Sequence, residues 1–216
     1  MLTTERTSEI VRDRFQPRID GHEPSWEIAD LFPQQGVWTE ADYIRLADAT
    51  NRLTELSNGR IELLPVPTEE HQFILLFLRD VLNAFVQVRR LGATLVAPLR
   101  VYLGPGRYRE PDVMFLREQN FHRRHSGYWE GADLVMEVVS ESDPDRDLIE
   151  KRMEYAQAGI PEYWIVDPRD ETITVLTLDG ESYREHGSFR RGEVAASVLL
   201  SGFEVEVAAA FDAAKQ

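Results

Sequence analysis

Glu137 stands inside the apolar run Leu134-Val135-Met136-Glu137-Val138-Val139, and 14 residues later comes Lys151, one of two lysines in a chain that otherwise carries its positive charge on 22 arginines. An acid in such a run is costly to bury unless it is ion-paired or bound to a cation. Lysine is a compact point charge whose pKa burial can move, so a lone internal lysine invites a chemical explanation. Upstream, Pro111-Asp112 opens a second strand-like stretch. Carboxylate oxygens from Asp112 and Glu137 suit Mg²⁺ or Mn²⁺, which activates water and neutralises a phosphodiester, while an ammonium nearby orients the water or steadies the transition state. The chemistry these residues could do is metal-dependent phosphodiester hydrolysis. Blander readings fit them too. Glu137–Lys151 could be a buried ion pair, Asp147–Lys151 is an ordinary i, i+4 pair, an Asp after Pro is a common turn residue, and an arginine-biased genome leaves single lysines by chance.

Particular elements must bring these side chains together. Residues 133–140 read as a strand in which Glu137 shares a face with Val135 and Val139. Ser142 or Asp143 caps a helix that starts at Pro144 and ends at Gly159, with Pro161 just beyond. On that helix Leu148, Lys151 and Tyr155 follow i, i+3, i+7 spacing, which turns Lys151 inward. Further upstream, Thr39 and Asp42 form a capping box for a helix to about residue 49, and Asn58-Gly59 between 52–57 and 60–64 signals a hairpin. Thr68 caps a long helix to about residue 90, with Phe73, Phe77, Leu78, Val81 and Phe85 as its apolar face. Short strands follow at 94–96, 99–103 and 112–116, then a polar loop over 117–131. Strands at 162–166, 172–178, 193–199 and 203–207 make the C-terminal part β-rich. The pattern predicts one α/β domain over 37–216, a central mixed sheet flanked by helices, behind an N-terminal extension over 1–36 punctuated by Pro17, Pro24 and Pro33.

Composition excludes several classes. With no cysteine, disulfides, thiolate metal sites and a cysteine nucleophile are all ruled out. No run of 18 apolar residues is present and the start shows no charged-then-apolar leader, so the cytoplasm is the expected compartment, without membrane contact. The net charge of −14 argues against a nucleic-acid partner, since phosphate binding draws on basic surface. It is unevenly spread, however: residues 89–125 carry eight arginines against Glu110, Asp112 and Glu118, a net of +5. Such a strip would suit a phosphate backbone across a nuclease cleft, and solvated loop charge explains it equally well. His122 and His125, spaced i, i+3, sit in a polar loop and read as solvated; Gly104-Pro105-Gly106 reads as a turn, and no Gly-x-Ser-x-Gly elbow supports serine hydrolysis.

Taken together, Pro111-Asp112, the 134–140 strand, Asp147 with Lys151, and the stretch Tyr155-Ala156-Gln157-Ala158-Gly159-Ile160-Pro161-Glu162-Tyr163-Trp164-Ile165-Val166-Asp167-Pro168 resemble the Uma-type endonucleases of the PD-(D/E)XK superfamily. The resemblance covers about residues 37–207 and includes the hairpin at 55–59 and the helix start Pro67-Thr68-Glu69-Glu70-His71. It implies a restriction-endonuclease-like fold and cleavage of nucleic acid, DNA first, with Mg²⁺ or Mn²⁺ as cofactor. It places Asp112, Glu137 and Val138 at the metal, Lys151 as the catalytic lysine, and Glu55 and His71 as accessory residues. In the superfamily's usual pattern the lysine stands two residues after the second acid. Here that position is Val139, so Lys151 takes the role if its helix delivers the amine to the same point. Cutting both strands needs two sites, which would suit a homodimer. The displaced lysine and acidic surface also fit an inert nuclease-fold binding or assembly module.

Overall fold

The computed structural model describes residues 32–50, 52–140 and 143–215. The chain divides into Met1–Gln34 and Gln35–Gln216, and the architecture that follows is that of the second unit. Most of the extension expected over 1–36 lies outside the described residues, as does Ser142.

Among the described residues the first helix, α1 (Glu40–Ala49), begins at the capping box read from the sequence, with Thr39 Oγ1 accepting from the Asp42 N–H at 3.2 Å. It leads into the hairpin of β1 (Thr54–Ser57) and β2 (Arg60–Leu63). Asn58 and Gly59 both take positive φ, 49° and 76°, as a tight right-twisted hairpin demands. A side chain at 59 is also excluded by space, since a Cβ there would lie 2.6 Å from the Gly36 carbonyl oxygen. The long helix α2 (Glu69–Arg89) starts where Thr68 Oγ1 accepts from the His71 N–H at 3.1 Å. Its buried stripe is Ile74, Leu75, Leu78, Leu82 and Val86, rotated from the face expected on aromatic spacing. Phe77, Val81 and Phe85 flank the core and Phe73 is 38% exposed. The branched aliphatics fit the closest approach to the sheet, and burying each is worth about 1.5–3 kcal/mol.

Strands β3 (Gly92–Val96), β4 (Arg100–Gly104), β5 (Arg107–Arg109), β6 (Val113–Arg117), β7 (Tyr128–Glu130) and β8 (Leu134–Val138) follow. After the helical segment ending in α3 (Lys151–Gln157) come β9 (Glu162–Asp167), β10 (Thr172–Asp179), β11 (Ser182–Arg190), β12 (Val194–Ala196), β13 (Glu204–Glu206) and α4 (Val207–Asp212). β5, β7, β11 and α4 have no counterpart in the sequence reading. Two are three-residue strands, too short for a period to show, and β7 lies in the stretch read as a polar loop. Among the described residues no helix is long and apolar enough to cross a membrane.

The strands form a mixed six-stranded sheet in the order β11-β10-β9-β8-β6-β3, a five-stranded sheet in the order β2-β1-β5-β4-β7, and the small β12-β13 pair. In the larger sheet β8 and β9 run parallel, joined by the helical segment, and their neighbours run antiparallel. Alternation along the strands builds two cores. Leu134, Met136 and Val138 face α2 and the C-terminal elements, whereas Val135 and Val139 face α3 and residues of β4 and β7. Glu137 lies on the second face, as its spacing predicts. A third cluster packs Tyr43 of α1 on Leu56 and Tyr108 of the five-stranded sheet.

Candidate active site

Three neighbouring elements deliver the charged residues to one place. β6 is preceded by Pro111-Asp112, β8 carries Glu137 near its end, and the helix after β8 carries Lys151. That helix is not uniformly α: residues 146–150 form a π turn, and the Lys151 N–H reaches back five residues to the Arg146 carbonyl. Wide turns of this kind recur at functional sites. The expected inward stripe holds, with Lys151 and Tyr155 buried and Leu148 packed against the same core.

Lys151 Nζ lies 3.0 Å from Glu137 Oε1, 3.1 Å from Asp147 Oδ1 and 3.7 Å from Glu55 Oε1. Both ion pairs foreseen from the sequence are therefore present at once. Tyr155 adds a short hydrogen bond from its hydroxyl to Glu137 Oε1. With Oε1 so occupied, Oε2 is turned to Asp112, whose backbone N–H approaches it at 3.4 Å. Asp112 Oδ2 accepts from the Val138 N–H at 2.8 Å and lies 3.1 Å from His71 Nε2. The predicted residues Glu55, His71, Asp112, Glu137, Val138 and Lys151 thus converge. Val138 turns its backbone N–H toward Asp112, so only its carbonyl could serve a cation. Apart from Glu55, which sits behind Lys151, these residues line a cleft of about 490 Å³. His122 and His125 lie elsewhere, exposed, with His125 stacked on Tyr128 at 4.6 Å.

Behind Lys151 lies a buried network that sequence reasoning missed. Arg109, with no exposed surface, donates to Glu55 Oε2 at 2.8 Å, Glu62 Oε2 at 2.6 Å and Glu154 Oε2 at 2.7 Å. Ser57 Oγ donates to Glu154 Oε1 at 2.6 Å, and the Glu110 N–H to Glu55 Oε1 at 2.9 Å. The five-stranded sheet is in this way fastened to α3. Two of the arginines read as a basic strip are already paired: Arg109 in the interior, and Arg100 with the exposed Asp48 at 2.7 Å. Tyr155 was readable as one turn beyond Lys151 on the same stripe, but Arg109 carried no signal to distinguish it from the surface arginines.

Electrostatics sets the state of each group. Burial works against the Lys151 ammonium, but Glu137, Glu55, Asp147 and Asp112 outweigh it and raise the pKa, so the amine stays charged at neutral pH. For Glu137 burial pushes upward, Lys151 pulls down, and the charges of Asp112, Asp147 and Glu55 add to the rise, which reaches about 8. Glu55 goes the other way: burial is overcome by Lys151 and Arg109, and its pKa falls to about 2. His71 is raised despite burial, through its hydrogen bond to Asp112 and the nearby acids. Glu110 is pushed to about 8 by burial and by Glu55.

The residues fit a hard divalent cation. Among the described residues no group of three or more His, Asp or Glu is gathered tightly enough to hold a metal by itself. Mg²⁺, however, is commonly held by one or two carboxylates plus waters and substrate phosphate. Asp112 and Glu137 offer that set in one cleft.

A family model described as Uma2, "Putative restriction endonuclease", matches residues 40–209. A crystal structure of "a putative nuclease belonging to DUF820" from Anabaena variabilis aligns with a TM-score of 0.69 at 18% identity, covering 82% of this chain and 98% of that one. At that identity the likeness speaks for the nuclease-type fold. No curated protein matches the sequence.

Proposed function

The chain belongs to the Uma2 family, and on that footing we propose that it is a divalent-metal-dependent endonuclease acting on nucleic-acid phosphodiesters, DNA first. The observation that carries this reading is the meeting of Lys151 Nζ with Glu137 Oε1 at 3.0 Å beside the Asp112 carboxylate, in one cleft. Asp112 and Glu137 would hold the cation. When bound, Mg²⁺ or Mn²⁺ supplies Lewis-acid charge at the phosphoryl oxygens and lowers the pKa of water. Tyr155 and Lys151 fix one oxygen of Glu137 and leave the other facing Asp112. His71 and the Val138 N–H similarly orient Asp112. Lys151, locked as an ammonium, acts by charge rather than as a base: it orients the attacking water or steadies the developing negative charge.

The test is cleavage of labelled nucleic acid with and without Mg²⁺ or Mn²⁺ by wild type and by Asp112→Ala, Glu137→Ala and Lys151→Ala, each checked for folding by thermal melting. Loss of at least about 100-fold in each folded variant is expected, the scale of removing one transition-state contact. Unchanged cleavage in all three would rule the reading out. A second reading, an inert module on the same scaffold, draws on the three carboxylates around Lys151, which could be wholly structural, and on the net charge of −14. It predicts no Mg²⁺ or Mn²⁺ affinity.

A further inference from the structure

The cleft has two chemically different walls. One is carbon, built by Leu53 ahead of β1, Leu64 and Val66 between the β1–β2 hairpin and α2, and Leu76 on α2. Val66 is 92% exposed and Leu76 40%. Pro65 and Pro67 restrict the backbone on either side of Val66 and hold it out as a stiff lip. On the other wall stands Arg146, on the π turn. It is only 9% exposed, and its Nε is buried without a hydrogen-bond partner. Arg146 lines the same cleft as the carboxylates, and a planar guanidinium is suited to taking a phosphate oxygen.

The charge around the cleft limits what can lie there. Five acidic side chains line it, Glu70, Glu110, Asp112, Glu137 and Asp147, against Arg146, Lys151 and His71; Lys151 is already ringed by acids and His71 is paired with Asp112. The arginines of 89–125 that could have laid a phosphate track are partly withdrawn, Arg109 into the interior and Arg100 onto Asp48. A duplex gripped through its backbone typically uses about 6–10 phosphate contacts. Among the described residues such a track is missing from this cleft, whereas a nucleobase face matches the carbon wall.

Resting on the nuclease reading above, we propose that the cleft takes an unpaired strand, one phosphate on Arg146 and a neighbouring base against the Leu64–Val66–Leu76 lip. One site then suffices for cleavage, and the homodimer that a duplex would call for is not required.

The experiment uses the full chain and three labelled DNAs of one sequence: single strand, perfect duplex, and duplex with a central unpaired bubble. Cleavage is followed with Mn²⁺, and binding by fluorescence anisotropy with Ca²⁺ in its place. The single strand and bubble should be cut and bound at least about 10-fold better than the duplex, with a log–log salt slope of about −1, reflecting one or two phosphates rather than many. Val66→Asp should raise KM on the single strand about 10-fold with little change in kcat, the scale of losing the apolar area that Val66 would bury against a base. Arg146→Ala should weaken binding and Arg146→Lys restore part of it. Duplex bound or cut as well as single strand, or Val66→Asp behaving as wild type, would overturn the proposal. Selective binding of the single strand without cleavage of any DNA would remove the nuclease reading and leave this one standing.

Discussion

Lys151 is decided by its neighbours. Three carboxylates within 3.7 Å hold it as an ammonium, and the balance they strike leaves Glu55 strongly ionised and Glu137 reluctant. Glu55 offers a direct test. Its folded pKa of about 2 lies below the ordinary 4.5, so its contribution to stability is complete above 4.5 and is lost as the pH falls from 4.5 toward 2. Denaturant melts across that window should steepen for wild type and flatten for Glu55→Gln. At pH 7 the variant should be less stable by about 3–5 kcal/mol, because Arg109 and Lys151 lose a buried partner. Equal pH profiles would contradict this. Tyr155→Phe is gentler: it removes one donor to Glu137, should shift stability by only about 1 kcal/mol, and should lower cleavage about 10-fold by loosening that carboxylate. At this scale the sequence was informative where periodicity applies. Glu137, Lys151 and Tyr155 are placed by strand and helix spacing, whereas Arg109 meets Glu55 and Glu154 across 54 and 45 positions, and no local pattern encodes such pairings.

The elements turn those residues into a site. α2 sets His71 through its cap, since Thr68 Oγ1 binds the very N–H that His71 supplies. Thr68→Ala should cost about 0.5–2 kcal/mol in a melt and also weaken the His71–Asp112 contact; a variant as stable as wild type would show the cap to be idle. Helix starts and the Asn58-Gly59 turn were legible because caps and positive-φ positions have chemical signatures. The buried stripe of α2 was misjudged because aromatic spacing drew attention to residues that only flank the sheet. The π turn at 146–150 was invisible, since Pro144 and Gly159 mark a helix's ends and say nothing about the width of its turns.

Over the whole molecule, the two large sheets meet at the site, and the C-terminal segment is latched to the central sheet by Glu162. That fully buried carboxylate accepts from Trp164 Nε1, Ser197 Oγ and the N–H groups of Val198 and Leu199, at 2.6–2.8 Å. Glu162→Gln turns an amide toward donors and should lower stability by about 2–4 kcal/mol, measured by chemical denaturation, without moving the site's residues. The α/β class followed from the alternation of elements; the splitting of the strands into two sheets did not, because β5 and β7 are too short to announce themselves. The central claim is that Asp112 and Glu137 together present one hard-cation site. Calorimetric titration of Mn²⁺ into wild type, Asp112→Asn and Glu137→Gln tests it most directly. One ion per chain is predicted for wild type, weakened at least about 10-fold in either folded variant. No Mn²⁺ uptake by wild type, or equal affinity in all three proteins, would contradict it.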